Sequence, residues 1–493
     1  MQLVLDLAKS INENKAHNAF FIKEKYFTYG DLVKMVSGIR QLIRSGTQKE
    51  EKQIGLILND DLETYAAIIA LWMEGRAYVP LNPKSPSDRN HKVIKQADII
   101  SIIDSSGKAV YPEFNTIASK GAFGSETDLY PVSTADTELA YIFFTSGTTG
   151  EPKGVPITRG NVTAFVEAFW DLGIKIDKDD RVLQMFELTF DLSVMSYLVP
   201  LLKGACVYPI PNDKIKYNYI FELMDEHGLT VALMVPSILH YLRPYFEEIH
   251  APDMKYSLFC GEALPLDVTQ EWSRCLPNAE ISNVYGPTEN TIFCTSYIFN
   301  RKKPNKEHNG ILCIGKAIKG VETIIIDDKN NILPQGEKGE LCLAGNLLTP
   351  GYWKNKEKNK EAFFIADHNG SQTRFYKTGD LCVEDTDGDI LYLGRIDFQT
   401  QIQGYRVELS EVEFHVKAFL DKINAVAIAI TNKIGNTEIG LVIESGEMDT
   451  GKLFEHLKEK MPTYMIPTQI RFVKEFPLNT NGKTDRKALA KAF

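Results

Sequence analysis

Apolar residues along this chain fall into short continuous runs set between longer amphipathic stretches. The runs ADIISIID, LAYIFFT, RVLQMF, TVALMV and YSLFCG are each bounded by polar or turn residues and predict buried strands. QIGLIL (53–58) predicts another, and the DLETYAAIIALWMEG after it places its apolar residues at helical spacing. The opening MQLVLDLAKSINENK carries Asp6 inside its apolar stretch and has no basic start, so it predicts an amphipathic helix and not a signal peptide. Such strand–helix alternation predicts α/β architecture, with mostly parallel sheets covered by helices.

The pattern changes after about residue 311. VETIIIDD, GELCLAG and DILYLGR predict strands separated by turn signals such as DTDGD, without long helices between them. They predict a small antiparallel or β-barrel-like region. The polar, glycine-punctuated GRIDFQTQIQGYRVE (394–408) reads as a boundary. Beyond it, Ser410 and Glu413 have the spacing of a capping box ahead of Val412, Val416 and Phe419. AVAIAIT, IGLVIES and TQIRFV predict strands and GKLFEHLKEKM a helix, an α+β pattern of its own. The expected division is a large domain over 1–396 and a small one over 397–493.

Composition narrows the class. The 493 residues are 44% hydrophobic and 24% charged, as in a soluble globular protein. A net charge of -10 argues against a large nucleic-acid surface, which needs a basic stripe. The local cluster RKKPNKEH (301–308) reads as a solvated loop. Seven dispersed cysteines without a C-x-x-C pair suit a reducing cytoplasm and argue against a disulfide framework or a zinc site. No apolar run approaches the ~18 residues needed to span a membrane, so no membrane insertion is expected.

The candidate chemistry begins at FFTSGTTGEPKGVP (143–156). A Walker loop needs its lysine directly after the last glycine, whereas Lys153 stands between Pro152 and Gly154. NGKTDR near the C-terminus copies the Walker ending, but Pro477 occupies the place of the first glycine. Neither is a P-loop, and no G-x-G-x-x-G follows a strand. A glycine-rich turn with exposed amides and hydroxyls can still hold a triphosphate, or it can be a structural turn.

Six motifs in order decide between those readings: YIFFTSGTTGEPKG, NVYGPTE (283–289), YKTGDL (376–381), GRIDFQ (394–399), GYRVE (404–408) and NGKTDRKAL (481–489). Together they resemble the adenylate-forming superfamily, within it the amino-acid-activating adenylation enzymes, from near Tyr29 to the end of the chain. FDLSVM (190–195), LFCGEALP (258–265) and GRIDFQ are similar to the D-alanine–D-alanyl carrier protein ligases. The resemblance implies a two-step reaction. A carboxylate attacks the α-phosphorus of ATP to give an acyl-adenylate and pyrophosphate, and a thiol then takes the acyl group. The cofactors implied are ATP and Mg²⁺, and the small C-terminal domain is implied to be mobile.

Residue by residue, the resemblance implies that Thr145, Ser146, Gly147, Thr148, Thr149, Gly150 and Lys153 hold the triphosphate. Asn283, Val284, Tyr285, Gly286, Pro287 and Thr288 match the adenine and α-phosphate segment, and Glu289 the Mg²⁺-associated carboxylate. Asp380 matches the acid that takes the ribose hydroxyls, with Tyr392 and Arg395 beside it, and Asp397 matches the hinge. Lys483 is the implied catalytic residue, a mobile ammonium bridging substrate carboxylate and phosphate.

Asp191 discriminates among acids. A buried carboxylate supplies the counter-charge to an α-ammonium group, while aspartate before Leu192 also has the makings of a helix N-cap. The implied pocket wall is Leu192, Met195, Leu233, Leu258, Cys260, Val284, Ile292 and Phe293, apolar and mostly bulky, which implies a small uncharged side chain. In the resembling D-alanine enzymes the cysteine belongs to the pocket and influences stereochemical preference. Those enzymes place a small residue where Phe293 stands, so glycine, L-alanine, serine and proline stay open beside D-alanine. An acyl- or aryl-coenzyme A synthetase and a catalytically idle nucleotide-binding protein are the other readings. The chain has no Gly-Gly dipeptide and therefore no G-G-x-S phosphopantetheine site, so the expected acceptor is a separate phosphopantetheinylated carrier protein.

Overall fold

The computed structural model describes every residue except 1, 109, 148, 149, 398, 421, 422, 478–483 and 492. Two mostly parallel sheets form its larger part. The six-stranded sheet runs from Asn115–Ala118 through the strands at 101, 53, 77 and 139 to Lys153–Thr158, which pairs antiparallel at one edge. The nine-stranded sheet joins the parallel strands at 18, 206, 181, 231, 256 and 280, with antiparallel strands at both edges.

Helix Leu62–Met73 is buried at every position but Glu63, because both sheets cover it. Tyr65 lies 4.7 Å from the Phe20 ring of the larger sheet, and the Trp72 indole donates to the Ala140 carbonyl of the smaller one. The stretch read as ADIISIID forms a strand only over Ser101–Asp104. Its first residues end helix Ser87–Gln96, with Asp98 in the left-handed region at φ 51.

The barrel-like region is a five-stranded antiparallel sheet built on Val321–Ile326, Lys338–Gly345, Phe363–His368, Ser371–Glu384 and Ile390–Arg395. The basic cluster at 301–308 is a largely exposed loop, as expected, with two of its cations tied down. Arg301 donates to the carbonyls of Leu276 and Ala279, and Lys306 is clamped by Asp385, Asp387 and Asp389. All seven cysteines are buried and unpaired.

The C-terminal part has hydrophobic cores of its own on a three-stranded sheet, Ala425–Thr431, Thr437–Glu444 and Gln469–Val473. Alternation sets its two faces. Ala425 and Ala427 face helices Leu409–Leu420 and Gly451–Lys460, whereas Val426 and Ile428 pack with Phe476 and Leu489. The capping box at Ser410 does not form. The helix begins at Leu409, and Glu413 turns inward to accept from the Ala427 amide and pair with Arg486.

The stretch read as a bare boundary contains a hairpin, Gln399–Ile402 with Tyr405–Glu408. Gln403 (φ 52) and Gly404 (φ 82) make its two-residue turn, the positive-φ geometry that suits right-twisted strands. A side chain at 404 is also excluded by space, since a Cβ would lie 2.4 Å from Val235 Cγ1. The Gly404 amide donates to Glu262, which fixes the turn to the larger part of the protein.

Candidate active site

Strand Leu139–Thr145 delivers the glycine-rich loop at the end of the smaller parallel sheet, and strand Lys153–Thr158 carries the chain back. Gly147 is required there, because a Cβ would lie 2.0 Å from the Glu151 carbonyl. Ser146, Gly147 and Lys153 all face the hairpin segment. The Ser146 hydroxyl donates to the Arg406 carbonyl (2.7 Å) and accepts from the Glu408 amide (3.2 Å). The Gly147 amide donates to Glu411 (2.9 Å), and the Lys153 ammonium pairs with Glu408 (2.7 Å). Arg89 holds the other Glu411 oxygen at 2.8 Å. Burial and the Arg406 guanidinium lower the pKa of Lys153, against the pull of Glu408. Thr145 borders the same cavity, Gly150 turns the loop at φ 73, and Thr148 and Thr149 lie outside the described residues.

Strand Glu280–Tyr285 of the larger sheet brings in the second group of residues, at the carboxyl end where open α/β sheets bind ligands. Val284, Tyr285, Gly286 and Pro287 line a pocket of about 80 Å³ together with Asp380 and Tyr392. Asn283 is anchored by donating to the Leu312 and Cys313 carbonyls. Tyr285 Oη donates to one Asp380 oxygen (2.5 Å) and Arg395 holds the other (2.7 Å). Burial raises the Asp380 carboxyl despite that guanidinium. Arg395 also grips Asp397 (2.6 Å), whose own backbone position precedes the hairpin.

Glu289 is fully buried and yet ionised. Burial works to raise its pKa, but the Arg406 guanidinium, the Tyr352 hydroxyl and Lys153 bring it below the usual carboxylate value. Tyr352 Oη donates at 2.6 Å and Arg406 pairs at 3.0 Å.

Asp191 ends a cavity of about 450 Å³ that also reaches Thr145, Ser146, Gly286 and Thr288. It precedes helix Leu192–Leu201 but makes no capping bond from its side chain; Oδ2 accepts instead from the Ile292 amide at 3.2 Å. That amide is aimed by an unusual backbone. Thr291 (φ 46) and Ile292 (φ 73) are β-branched residues in the left-handed region, a strain of about 1–3 kcal/mol each of the kind found at functional sites. Burial pushes the Asp191 carboxyl up to about 7.

Of the remaining wall residues, Leu192 lines this cavity, whereas Met195, Leu233, Leu258, Cys260 and Phe293 are at most 1% exposed and do not. Phe293 is packed away from the cavity, held edge-on by Phe165 at 5.0 Å and flanked by Phe169. Burial raises the Cys260 thiol well out of the reactive range. Lys483 lies outside the described residues.

Sequence reasoning missed Arg406, Glu408, Glu411, Tyr352 and Arg89. The signal for Arg406 and Glu408 was present in GYRVEL, where they alternate with Tyr405, Val407 and Leu409 as on a half-buried strand.

A glycine-rich loop, a pocket lined by Tyr285, Asp380 and Tyr392, and a buried carboxylate, set where two mostly parallel sheets meet a small α+β unit, fit an adenylate-forming architecture. A family model described as AMP-binding enzyme matches residues 7–353, and the chain belongs to that family. It is 30% identical to tyrocidine synthase 2 of Brevibacillus parabrevis over 99% of its own length, but spans only 13% of that synthase. It is 29% identical to the D-alanine–D-alanyl carrier protein ligase of Bacillus licheniformis, covering 99% of both chains. Among solved structures, it is similar to the Vibrio cholerae adenylation domain AlmE in complex with glycyl-adenosine-5'-phosphate. That likeness has a TM-score of 0.85 at 25% identity, over 99% of this chain and 97% of the other.

Proposed function

We propose that this protein uses ATP to activate a small neutral amino acid as its adenylate. It then passes the aminoacyl group to the phosphopantetheine thiol of a separate carrier protein. The observation that carries this reading is the buried Asp191 carboxylate at the end of the cavity that starts at the glycine-rich loop. An α-ammonium group there neutralises a charge that burial otherwise penalises. A fatty or aryl acid leaves that charge unpaired, which disfavours an acyl- or aryl-coenzyme A synthetase.

In the first step the amino acid's carboxylate oxygen bonds to the α-phosphorus and the bond to the β-phosphate bridging oxygen breaks, releasing pyrophosphate. In the second, the thiol sulfur bonds to the carbonyl carbon, its proton is lost and AMP leaves. Ser146, Gly147 and Lys153, with Thr145, Thr148, Thr149 and Gly150, are the proposed triphosphate donors. Asn283 to Thr288 hold the adenine and α-phosphate, and Asp380, Tyr392 and Arg395 the ribose. Catalysis of the first step is positioning and charge neutralisation. We assign the charge that bridges the reacting carboxylate and phosphate to Lys483, on a C-terminal domain (397–493) that turns on a hinge at Asp397.

Mg²⁺ suits Glu289. The buried carboxylate already holds a cation, the Arg406 guanidinium, and is kept ionised by its surroundings. When the guanidinium withdraws, Glu289 is a hard oxygen donor for a metal that neutralises phosphate charge.

The likeness to the Bacillus licheniformis ligase supports D-alanine as the substrate. Phe293 supports glycine instead, because a bulky ring follows Ile292, whose amide meets Asp191, at a position where the resembling D-alanine enzymes carry a small residue. Phe293→Leu is expected to raise the alanine-to-glycine ratio of adenylation kcat/KM by about tenfold, the low end of the discrimination that apolar pocket size gives. Parallel exchange assays on both proteins read that ratio. The acceptor is tested by product mass. A thioester on a phosphopantetheinylated carrier protein, without one on free coenzyme A, supports the proposal; the reverse overturns it.

A further inference from the structure

The hairpin segment does more than cover the glycine-rich loop; it satisfies the groups that would otherwise hold phosphate. Three donors of the loop meet oxygens of residues 406–411: the Ser146 hydroxyl, the Gly147 amide and the Lys153 ammonium. Two of those oxygens belong to carboxylates, and both are out of solvent, with the Glu408 side chain 5% and the Glu411 side chain 0% exposed. Arg89 steadies Glu411 from behind at 2.8 Å, and Gln399 steadies Glu408 at 2.6 Å.

We propose that Glu408 and Glu411 are surrogates for the phosphates of ATP, taking over the loop's donors as the segment docks and so expelling pyrophosphate before the thiol step. The inference rests on reading the loop as a triphosphate cradle.

The physical case is one of exclusion and of desolvation. A single Gly147 amide and a single Lys153 ammonium cannot serve a phosphate oxygen and a carboxylate at the same time. With the segment docked, Lys153 is out of solvent, and an ammonium buried there needs the partner that Glu408 supplies. Handing each donor from phosphate to carboxylate avoids an unpaired state. The carboxylates belong to the same chain, so they compete at the high effective concentration of a tethered group. The monoanionic carboxylates also match the cradle less strongly than a triphosphate, so ATP can reopen it.

Two measurements test this. The first needs no variant: inorganic pyrophosphate added to the full-length wild-type protein is expected to speed amide hydrogen exchange across residues 399–411 as the segment is displaced. The second is pyrophosphate affinity by calorimetry. Glu408→Gln and Glu411→Gln are each expected to lower the pyrophosphate Kd about tenfold, equivalent to about 1.4 kcal/mol. Glu151→Gln, an acid of the same loop paired with Lys92 and not with these donors, controls for net charge and is expected to shift it less than twofold. Equal Kd values in wild type, Glu408→Gln and Glu411→Gln, or an equal shift in the control, would overturn the proposal. So would pyrophosphate binding that leaves the 399–411 amides protected. If neither ATP nor pyrophosphate binds the wild-type protein, the cradle reading itself fails and the inference falls with it.

Discussion

Asp191→Asn lowers kcat/KM for the amino acid by about 10²–10³, measured by amino-acid-dependent ATP–pyrophosphate exchange. Removing one partner of a buried charge pair costs about 3–5 kcal/mol, and the lower part of that range sets the expected loss. Asparagine keeps the shape and can still accept from the Ile292 amide, so the lost term is the charge. The same carboxyl, raised from 3.8 to about 7 by burial, gives the activity a pH signature. An ammonium group needs the ionised form, so kcat/KM for the amino acid falls about tenfold per pH unit below about 7 and is level above it. Asparagine removes that limb.

Stability moves the opposite way. A carboxyl whose folded pKa is raised contributes stability that is full below its unfolded value and lost as pH rises through about 7. The shift of roughly three units is worth up to about 4 kcal/mol. Asp191→Asn is therefore expected to raise the melting temperature of the ligand-free protein more at pH 8 than at pH 5. A purely structural carboxylate would give neither the activity loss nor its pH limb.

Lys483→Ala is expected to lower the single-turnover rate of adenylate formation by about 10²–10³, the usual cost of removing one group that stabilises developing charge. With the hairpin seated on the glycine-rich loop, Arg406 pairs with Glu289 and its carbonyl accepts from Ser146. Adenylation on this account requires the C-terminal part to turn over, withdrawing Arg406, Glu408 and Glu411 and presenting Lys483. Rapid-quench measurement of adenylate under saturating ATP reads the step directly; a rate equal to wild type would remove Lys483 from the chemistry.

Much of the scaffold was legible because strand and helix periods are local. LAYIFFT and AVAIAIT form Leu139–Thr145 and Ala425–Thr431 as their patterns predict. The residues of the glycine-rich loop and of NVYGPTE were legible as motifs. The 399–408 hairpin was not, because its first strand, Gln399–Ile402, is polar but for Ile402 and its turn is the inconspicuous pair Gln403-Gly404. Ser410 and Glu413 had the spacing of a capping box, but a tertiary partner, Arg486, took the glutamate. The occupants of the site were the least legible. Glu289 and Lys153 meet Arg406 and Glu408 across 117 and 255 residues, and no local spacing encodes such a meeting.

The central claim is that this protein activates a small amino acid, and an ATP–pyrophosphate exchange panel tests it most directly. Glycine, D- and L-alanine, serine, proline, larger amino acids, and fatty and aryl acids are each supplied with ATP and labelled pyrophosphate. The account predicts exchange with glycine or D-alanine well above every larger amino acid, and none with acids that lack an α-ammonium group. Exchange with a fatty or aryl acid, and with no amino acid, would contradict it.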